Sequence, residues 1–448
     1  LKIQLPKNVE FIINELNKNG YEAYVVGGCV RDSLLGIMPK DYDITTNTKP
    51  EEVKNIFDKT IDTGLQHGTV TVVLDKENYE ITTYRIDGIY SDSRRPENVA
   101  FTNSLTDDLS RRDITINAMA YNHKDGFIDP FDGQKDLNNM TIRCVGDAYQ
   151  RLEKEDRLRK MRVIRFAAQL GFDIHTDTFK AIRKYPSLDG ISIERIQAEF
   201  NKILLSDRTR YGIDLLYQLK LLNQFLPEFS KCMETAQNSP YHVYSVGMHS
   251  LIACGNVDIQ YSLHLKLAML LHDIGKPICK TTDENGIDHF YGHAKYSVEL
   301  TDNILKRMKY DNETINRVKE LIMYHDAEIQ DNKNSVRKWL NKIGDDSFRN
   351  LLKIRVADIY AQNPQHYDER HSKIQRIKNL IEEVIQDKEC FTIKDLVIDG
   401  NDLIQLGFKQ GIEIGNMLNY LLELVIDNPK LNQKDELVKI IKSESGFK

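Results

Sequence analysis

Apolar residues near the start of the chain recur at helical spacing, at Val9, Ile12, Ile13 and Leu16, and the run stops at Gly20. That pattern predicts an amphipathic helix closed by a turn. The period then changes. Glu22 to Val26 reads as a strand, and further strands are expected at Asp41 to Thr45, Thr69 to Leu74 and Tyr79 to Arg85, with a helix opened by Pro50 before the second of these three. The first segment is therefore an α/β head. After about residue 145 the strand signal disappears, and from Tyr149 onward the pattern is helical, interrupted near Pro186, Gln237 and Asp283 by polar or Pro/Gly-containing stretches. Four segments are expected: the head at 1–145, helical segments at 146–235 and 236–370, and a helical tail at 371–448 that carries no recognisable chemistry. There is no internal repeat.

Composition agrees with a multidomain globular protein. The 448 residues, 41% of them hydrophobic, suit two to four domains of about 100 to 200 residues each. No apolar run reaches the roughly 18 residues of a membrane span, and Leu1 to Asn8 lacks the apolar stretch of a signal peptide. A cytoplasmic location with no membrane partner is the expectation. Six cysteines at positions 29, 144, 232, 254, 279 and 390 form no CxxC pair, so neither a disulfide framework nor a thiolate zinc site is expected. The net charge of −6 argues against indiscriminate binding of polyanions, yet residues 141–210 hold 15 Lys/Arg against 10 Asp/Glu, a local +5. Such a zone can hold one polyanion at one place; a solvated helical face is the plainer alternative.

The chemistry begins after the strand Tyr24 to Val26. Gly27-Gly28 let the backbone approach a phosphate, and Arg31 can add charge-assisted hydrogen bonds. Downstream stands Asp41-Tyr42-Asp43. On a strand, residues two apart share a face, so both carboxylates converge, and a divalent cation is the simplest relief of their repulsion. Two-metal phosphoryl transfer needs such a pair of hard oxygen ligands. Glu80, on the strand Tyr79 to Arg85, is the best-placed third carboxylate.

The ordered strings Gly27-Gly28-Cys29-Val30-Arg31-Asp32, Leu34-Leu35-Gly36 and Asp41-Tyr42-Asp43-Ile44-Thr45-Thr46 resemble the signature of the class II tRNA nucleotidyltransferases and their poly(A) polymerase relatives. The likeness continues through Gly68-Thr69-Val70, Tyr84-Arg85, Arg94-Arg95-Pro96, Asp108-Leu109, Arg111 to Ala118 and Asp129 to Gly133, and covers residues 20 to about 210. The resemblance implies a DNA polymerase β-like α/β nucleotidyltransferase head followed by all-α neck and body, HD and tail regions. It implies that Asp41 and Asp43 hold magnesium, that Gly28 and Arg31 contact the triphosphate, and that Arg112, with Asp113 and Asn117 of the same motif, binds the incoming nucleotide. Ile86 to Asn103 is similar to the flexible loop of the CCA-adding subgroup.

Glu155-Asp156-Arg157-Leu158-Arg159, continuing to Arg162 and Arg165, reads as one helical stretch and resembles the family's nucleotide-selecting motif. Cytosine and adenine each present an amino donor beside a ring-nitrogen acceptor, which an Asp acceptor beside an Arg donor can match; uracil and guanine present the reverse. As neighbours three apart on a helix, Asp156 and Arg159 would offer that pair. A mismatched base would leave buried groups unpaired at a cost of a few kcal/mol. Arg162 is expected near the pair. Arg165, about 180° from Asp156 on the same helix, is expected at the phosphates, at another domain or in a buried salt bridge. Glu194-Arg195-Ile196 with Glu199 is similar to a later motif, read as structural.

A second constellation lies at His249, His272-Asp273, His293, His325 and Asp358. The context Leu270 to Pro277 resembles the core of an HD-domain phosphohydrolase, with His249 and Asp358 as outer ligands and His293 and His325 completing a second metal position; His242 and His289 are nearby spares. Imidazoles with carboxylates suit Mn, Fe, Ni, Co or Zn, which lower the pKa of bound water. The sequence thus points to addition of CCA to the 3′ end of tRNA from CTP and ATP with magnesium, no obligate protein partner, and possible phosphoesterase activity in the second region. An A-adding or CC-adding enzyme, or a bacterial poly(A) polymerase, is the alternative.

Overall fold

The computed structural model describes residues 2–88, 99–240, 242–258, 260 and 262–444. The chain divides into two compact units, Leu1–Pro227 and Glu228–Lys448. Among the described residues, no helix is long and apolar enough to cross a membrane.

The first unit opens with α1 (Lys7–Lys18), β1 (Ala23–Val26), α2 (Gly28–Leu34), β2 (Asp43–Thr46), α3 (Pro50–Ile56), β3 (Thr60–Gly64), β4 (Thr69–Leu74) and β5 (Glu77–Thr83). It continues with β6 (Arg85–Asp87), β7 (Val99–Phe101), α4 (Leu105–Ser110), β8 (Ala120–Asn122), β9 (Gly126–Ile128), α5 (Gly133–Asn138) and β10 (Thr141–Ile142). Seven strands form one sheet in the order β3-β4-β5-β2-β1-β8-β9, while β6 and β7 form a separate ribbon. Only β2 and β5 run parallel within that sheet.

β1 is apolar throughout because both of its faces are covered. Ala23 and Val25 join the core built with Val9, Ile12 and Leu16 of α1 and Val53 of α3. Tyr24 and Val26 turn to the other face, against Tyr84 and the α4 residues Leu105 and Leu109. The same alternation acts on β2. Ile44 enters the first core, which sends Asp43 and Thr45 to the opposite face.

Helices follow: a π-helical turn at Gln150–Glu155, then α6 (Arg159–Leu170), the two-residue β11 (Asp173–Ile174), α7 (Thr176–Lys184), α8 (Ile193–Leu204) and α9 (Thr209–Gln218). α6 packs on α8 and α9. Strand structure is thus not confined to the first 145 residues, since β11 pairs with β10.

The second unit begins within α10 (Pro227–Glu234) and contains α11 (Val246–Asn256), α12 (Leu263–Leu271), α13 (Lys276–Cys279), a ribbon of β12 (Thr281–Thr282) and β13 (Asp288–His289), α14 (His293–Arg307), α15 (Asn312–Tyr324), α16 (Lys333–Ile359) and α17 (Tyr367–Gln386). α11 packs on α12 and α16, and α12 on α15. α16 is kinked at Gly344, whose φ is +78°. α18 (Gly400–Gln405), α19 (Ile412–Asp427) and α20 (Lys434–Glu444) close a small core around Leu403, Leu421, Val425 and Leu437.

Candidate functional site

The open face of the sheet collects the first group. Gly27 ends β1 with a φ of +82°, and a β-carbon there would stand 2.8 Å from Arg112 Nη1. The positive φ calls for glycine, and the bare Cα lets the Arg112 guanidinium lie close over the turn. Asp43 starts β2, whereas Asp41 precedes the strand, which begins two residues later than its pattern suggested. Desolvation raises the Asp43 carboxyl above its ordinary value; Arg112 opposes this and Asp41 adds to it. A divalent cation would relieve the repulsion between the two carboxylates.

Thr45, on the same face, donates to the fully buried Asp108 at 3.1 Å. Asp108 also accepts Arg111 Nε at 2.9 Å and lies 4.0 Å from Arg112 Nη2. It therefore ties β2 to the arginines. Glu80 is exposed on β5, and the parallel register Ile44 to Ile81 puts it level with Asp43.

A polar chain links this face to α6. Arg31 Nη1 donates to Asn117 Oδ1 at 2.7 Å, Asn117 Nδ2 reaches Asp113 Oδ1 at 3.5 Å, and Arg162 Nε donates to Asp113 Oδ2 at 2.7 Å. Arg31, Arg162 and Arg165 gather around the Phe166 ring at 5.1, 5.8 and 4.1 Å from its centroid. Arg165 meets Glu199 at 2.9 Å in a buried salt bridge, one of its three expected environments.

The single helix expected over Glu155 to Arg165 is broken. Asp156 has φ −121° and ψ 107°, after the π-helical turn, and α6 starts only at Arg159. The cause is the aspartate itself. Its Oδ1 accepts the Leu158 N–H at 3.0 Å, a local bond that competes with helix continuation. Asp156 and Arg159 are consequently not neighbours on one helix face. Asp156 Oδ2 accepts Arg195 Nη2 at 3.0 Å, and Arg159 pairs with Glu155 and donates to the Arg111 carbonyl at 3.0 Å. Arg94-Arg95-Pro96 and most of the loop 86–103 lie outside the described residues.

The second group converges within the helical unit. His249 Nε2 lies 3.2 Å from His272 Nε2 and 2.9 Å from Asp358 Oδ1, and His272 Nε2 lies 3.2 Å from Asp273 Oδ2. His293 Nε2 and His325 Nε2 are 3.2 Å apart, at 3.4 and 3.8 Å from Asp273 Oδ1. The Nδ1 atoms of these four histidines face the carbonyls of Ala361, Met269, Phe290 and Ile322 at 2.7–3.2 Å. Each Nδ1 therefore keeps a proton for its carbonyl, and every Nε2 lone pair points inward. Asp273 Oδ2 pairs with Lys276 Nζ at 2.7 Å, whereas Oδ1 is buried without a hydrogen bond. This donor set fits metal, with Asp273 offering one oxygen to each cluster. Burial pushes His272 down, but the Asp273 and Asp358 carboxylates outweigh it and raise it to about 10, so this pocket favours positive charge.

Asp326 joins His293 and His325 in this arrangement and was not expected, although its His-Asp dipeptide repeats the one at 272 and 273. His242 lines the cavity, with its ring 4.8 Å from that of His249. His289 pairs instead with Asp283 at 2.9 Å. Asp108 was visible as part of a motif without a role.

Residues 23–143 match the family model of the Poly A polymerase head domain. Residues 171–233 match "Probable RNA and SrmB- binding site of polymerase A", and 280–441 match a tRNA nucleotidyltransferase domain 2. The head is thus a nucleotidyltransferase of that class, whose chemistry depends on divalent metal. A CCA-adding enzyme of Pediococcus pentosaceus is 34% identical over 437 residues, 96% of each chain. One from Leuconostoc mesenteroides is 37% identical over 335 residues, 71% of this chain and 83% of the other. The crystal structure of Bacillus stearothermophilus CCA-adding enzyme in complex with CTP is similar at a TM-score of 0.75 and 27% identity, covering 99% of this chain and 100% of that one. The chain belongs to the CCA-adding enzyme family of tRNA nucleotidyltransferases.

Proposed function

We propose that the head adds CMP, CMP and AMP in turn to the 3′ end of tRNA, using CTP and ATP, with Asp41 and Asp43 as ligands of magnesium and Glu80 as the third carboxylate. The bound cations supply activation of the attacking hydroxyl and neutralise the leaving pyrophosphate. Gly28 and Arg31 seat the triphosphate. Arg112 binds the nucleotide beside Gly27, and Asp113 and Asn117 hold Arg31 and Arg162 in register for it. Asp156 and Arg159 select the base from the start of α6, each fixed by a partner, Arg195 and Glu155. The observation that carries the reading is the Asp41/Asp43 pair beside Arg112 over the Gly27 turn. Incubating a tRNA that lacks CCA with each nucleotide alone and in mixtures, then sizing the products, tests it. Extension by A only, by CC only or by a long A tract would replace full CCA addition with the corresponding alternative.

A second reading is favoured by the four inward Nε2 atoms: residues 236–370 form an HD-type, metal-dependent phosphoesterase. Its ligands are His249, His272, Asp273 and Asp358 for one ion and His293, His325 and Asp273 for another, drawn from Mn, Ni, Co, Fe or Zn. A bound ion there supplies a hydroxide at neutral pH. A phosphorylated tRNA end, including a 2′,3′-cyclic phosphate, is the economical substrate, because its removal restores a primer for the head. Metal analysis of the full chain with assays on cyclic nucleotides and phosphomonoesters tests this reading.

A further inference from the structure

Three cations share the metal-ligand cavity with the histidines: Lys276, Arg355 and Arg370. Lys276 Nζ stands 2.7 Å from Asp273 Oδ2 and donates to Gln237 Oε1 at 2.9 Å, and Arg355 Nη1 donates to the Ala327 carbonyl at 2.6 Å. Arg370 comes from α17, beyond the metal ligands in sequence. It donates to Gln362 Oε1, and Gln362 Nε2 donates to Asp358 Oδ2 at 2.8 Å. One amide therefore orients a metal ligand and the Arg370 fork together.

Size and charge identify what this arrangement would hold. The cavity has a volume of about 160 Å³, room for a phosphoryl group and below the roughly 300–1,000 Å³ usual for a whole small-molecule site. A neighbouring hollow of about 570 Å³ shares His242, Gln362 and Arg370 with it and reaches His366 and Glu369. That volume is within the roughly 300–1,000 Å³ usual for small-molecule sites. His249, His272 and Asp273 are each 1% exposed and form the buried floor of the cavity. Asp273, Asp326 and Asp358 are balanced by Lys276, Arg355 and Arg370. With those charges balanced, two divalent ions would leave four positive charges, and a phosphomonoester dianion offsets half of them.

We propose that Arg370, oriented by Gln362, grips the phosphoryl group of a terminal nucleotide phosphomonoester, with the attached nucleoside in the adjoining hollow. A planar fork suits phosphate oxygens. In the reaction, water oxygen bonds to phosphorus, the ester P–O bond breaks, and the water proton passes to the leaving nucleoside hydroxyl. The products are a free hydroxyl end and inorganic phosphate. This inference rests on the hydrolase reading above and adds the residue that recognises the phosphoryl group.

The test uses the full chain loaded with Mn²⁺ or Ni²⁺, comparing wild type, Arg370→Met, Arg370→Lys and Gln362→Leu. Metal content is measured by elemental analysis, binding of inorganic phosphate by calorimetry, and hydrolysis with adenosine 3′-monophosphate. Arg370→Met is expected to keep its metal and its CCA addition, to weaken phosphate binding and raise KM at least tenfold, and to leave kcat within about threefold; Arg370→Lys recovers part of the loss, and Gln362→Leu falls between. Unchanged phosphate binding and KM in a metal-loaded, hydrolytically competent Arg370→Met protein would overturn the proposal alone. A wild-type chain that takes up no metal and hydrolyses no phosphomonoester would overturn the hydrolase reading with it.

Discussion

Arg162 Nε donates to Asp113 Oδ2 at 2.7 Å, joining α6 to the segment that carries Asn117 and, through it, Arg31. Burial alone would raise the Asp113 carboxyl, but Arg162 wins and holds it at about 2. Arg31, proposed to seat the triphosphate, and the helix proposed to read the base are thereby mechanically connected.

The pair gives stability a defined pH dependence. A carboxyl at about 2 when folded and 3.8 when unfolded contributes stability that is complete above 3.8 and is lost as pH falls through about 2. Arg162→Met is expected to cost the first unit about 1–2 kcal/mol at pH 7, at the lower end because the guanidinium is partly exposed and screened. Thermal midpoints of both proteins from pH 7 to 3 should run parallel down to about pH 4 and then converge. Equal midpoints at pH 7 would show that the pair contributes nothing.

Asp41→Asn or Asp43→Asn should abolish nucleotide addition while leaving folding and tRNA binding largely intact, because each removes one metal ligand from an open sheet face. Rates from single-turnover assays decide this. Retention of activity within tenfold of wild type in either variant would sink the two-carboxylate assignment.

Local spacing exposed some of this and concealed the rest. The face of Asp43 was legible because the strand continues with Ile44, whose burial fixes it, whereas Asp41 falls before the strand, so alternation along β2 reaches only one of the two carboxylates. The three-residue strands β6 to β9 escaped because so short a run shows no period. The break at Asp156 was hidden because its cause, a side chain capping the Leu158 N–H, is invisible to helical periodicity and leaves the surrounding charge pattern unchanged. Asp113 and Arg162 are 49 residues apart, and no local pattern links them.

That break sharpens the specificity test. Asp156 is held by Arg195 of α8 at 3.0 Å, not by its helix. Asp156→Ala should relax discrimination against UTP and GTP more than it slows addition of CMP, by about tenfold or more if a buried base edge is left unpaired. Incorporation of all four nucleotides measures it. A uniform loss with the preference for C and A unchanged would reduce the α6 start to a positioning element.

The last prediction separates the two chemistries. Every proposed polymerase residue lies within Leu1–Pro227, and every ligand of the histidine cluster lies within Glu228–Lys448. Asp273 is the cluster's shared member, with Oδ2 3.2 Å from His272 Nε2 and Oδ1 3.4 Å from His293 Nε2. Asp273→Ala therefore removes a proposed donor from both metal positions at once, leaving Asp358 beside His249 and His272 and Asp326 beside His293. Bound transition metal should fall to background and phosphoester hydrolysis with it, while CCA addition by the same protein continues near the wild-type rate. Because Asp273 also faces the buried Lys276 at 2.7 Å, the variant's thermal midpoint must be recorded alongside. His293→Ala, which leaves that ion pair intact, should impair the second metal position only. Full metal content and hydrolysis in Asp273→Ala would exclude Asp273 as a ligand, and a parallel loss of CCA addition in a folded His293→Ala variant would show that the two sites are not independent.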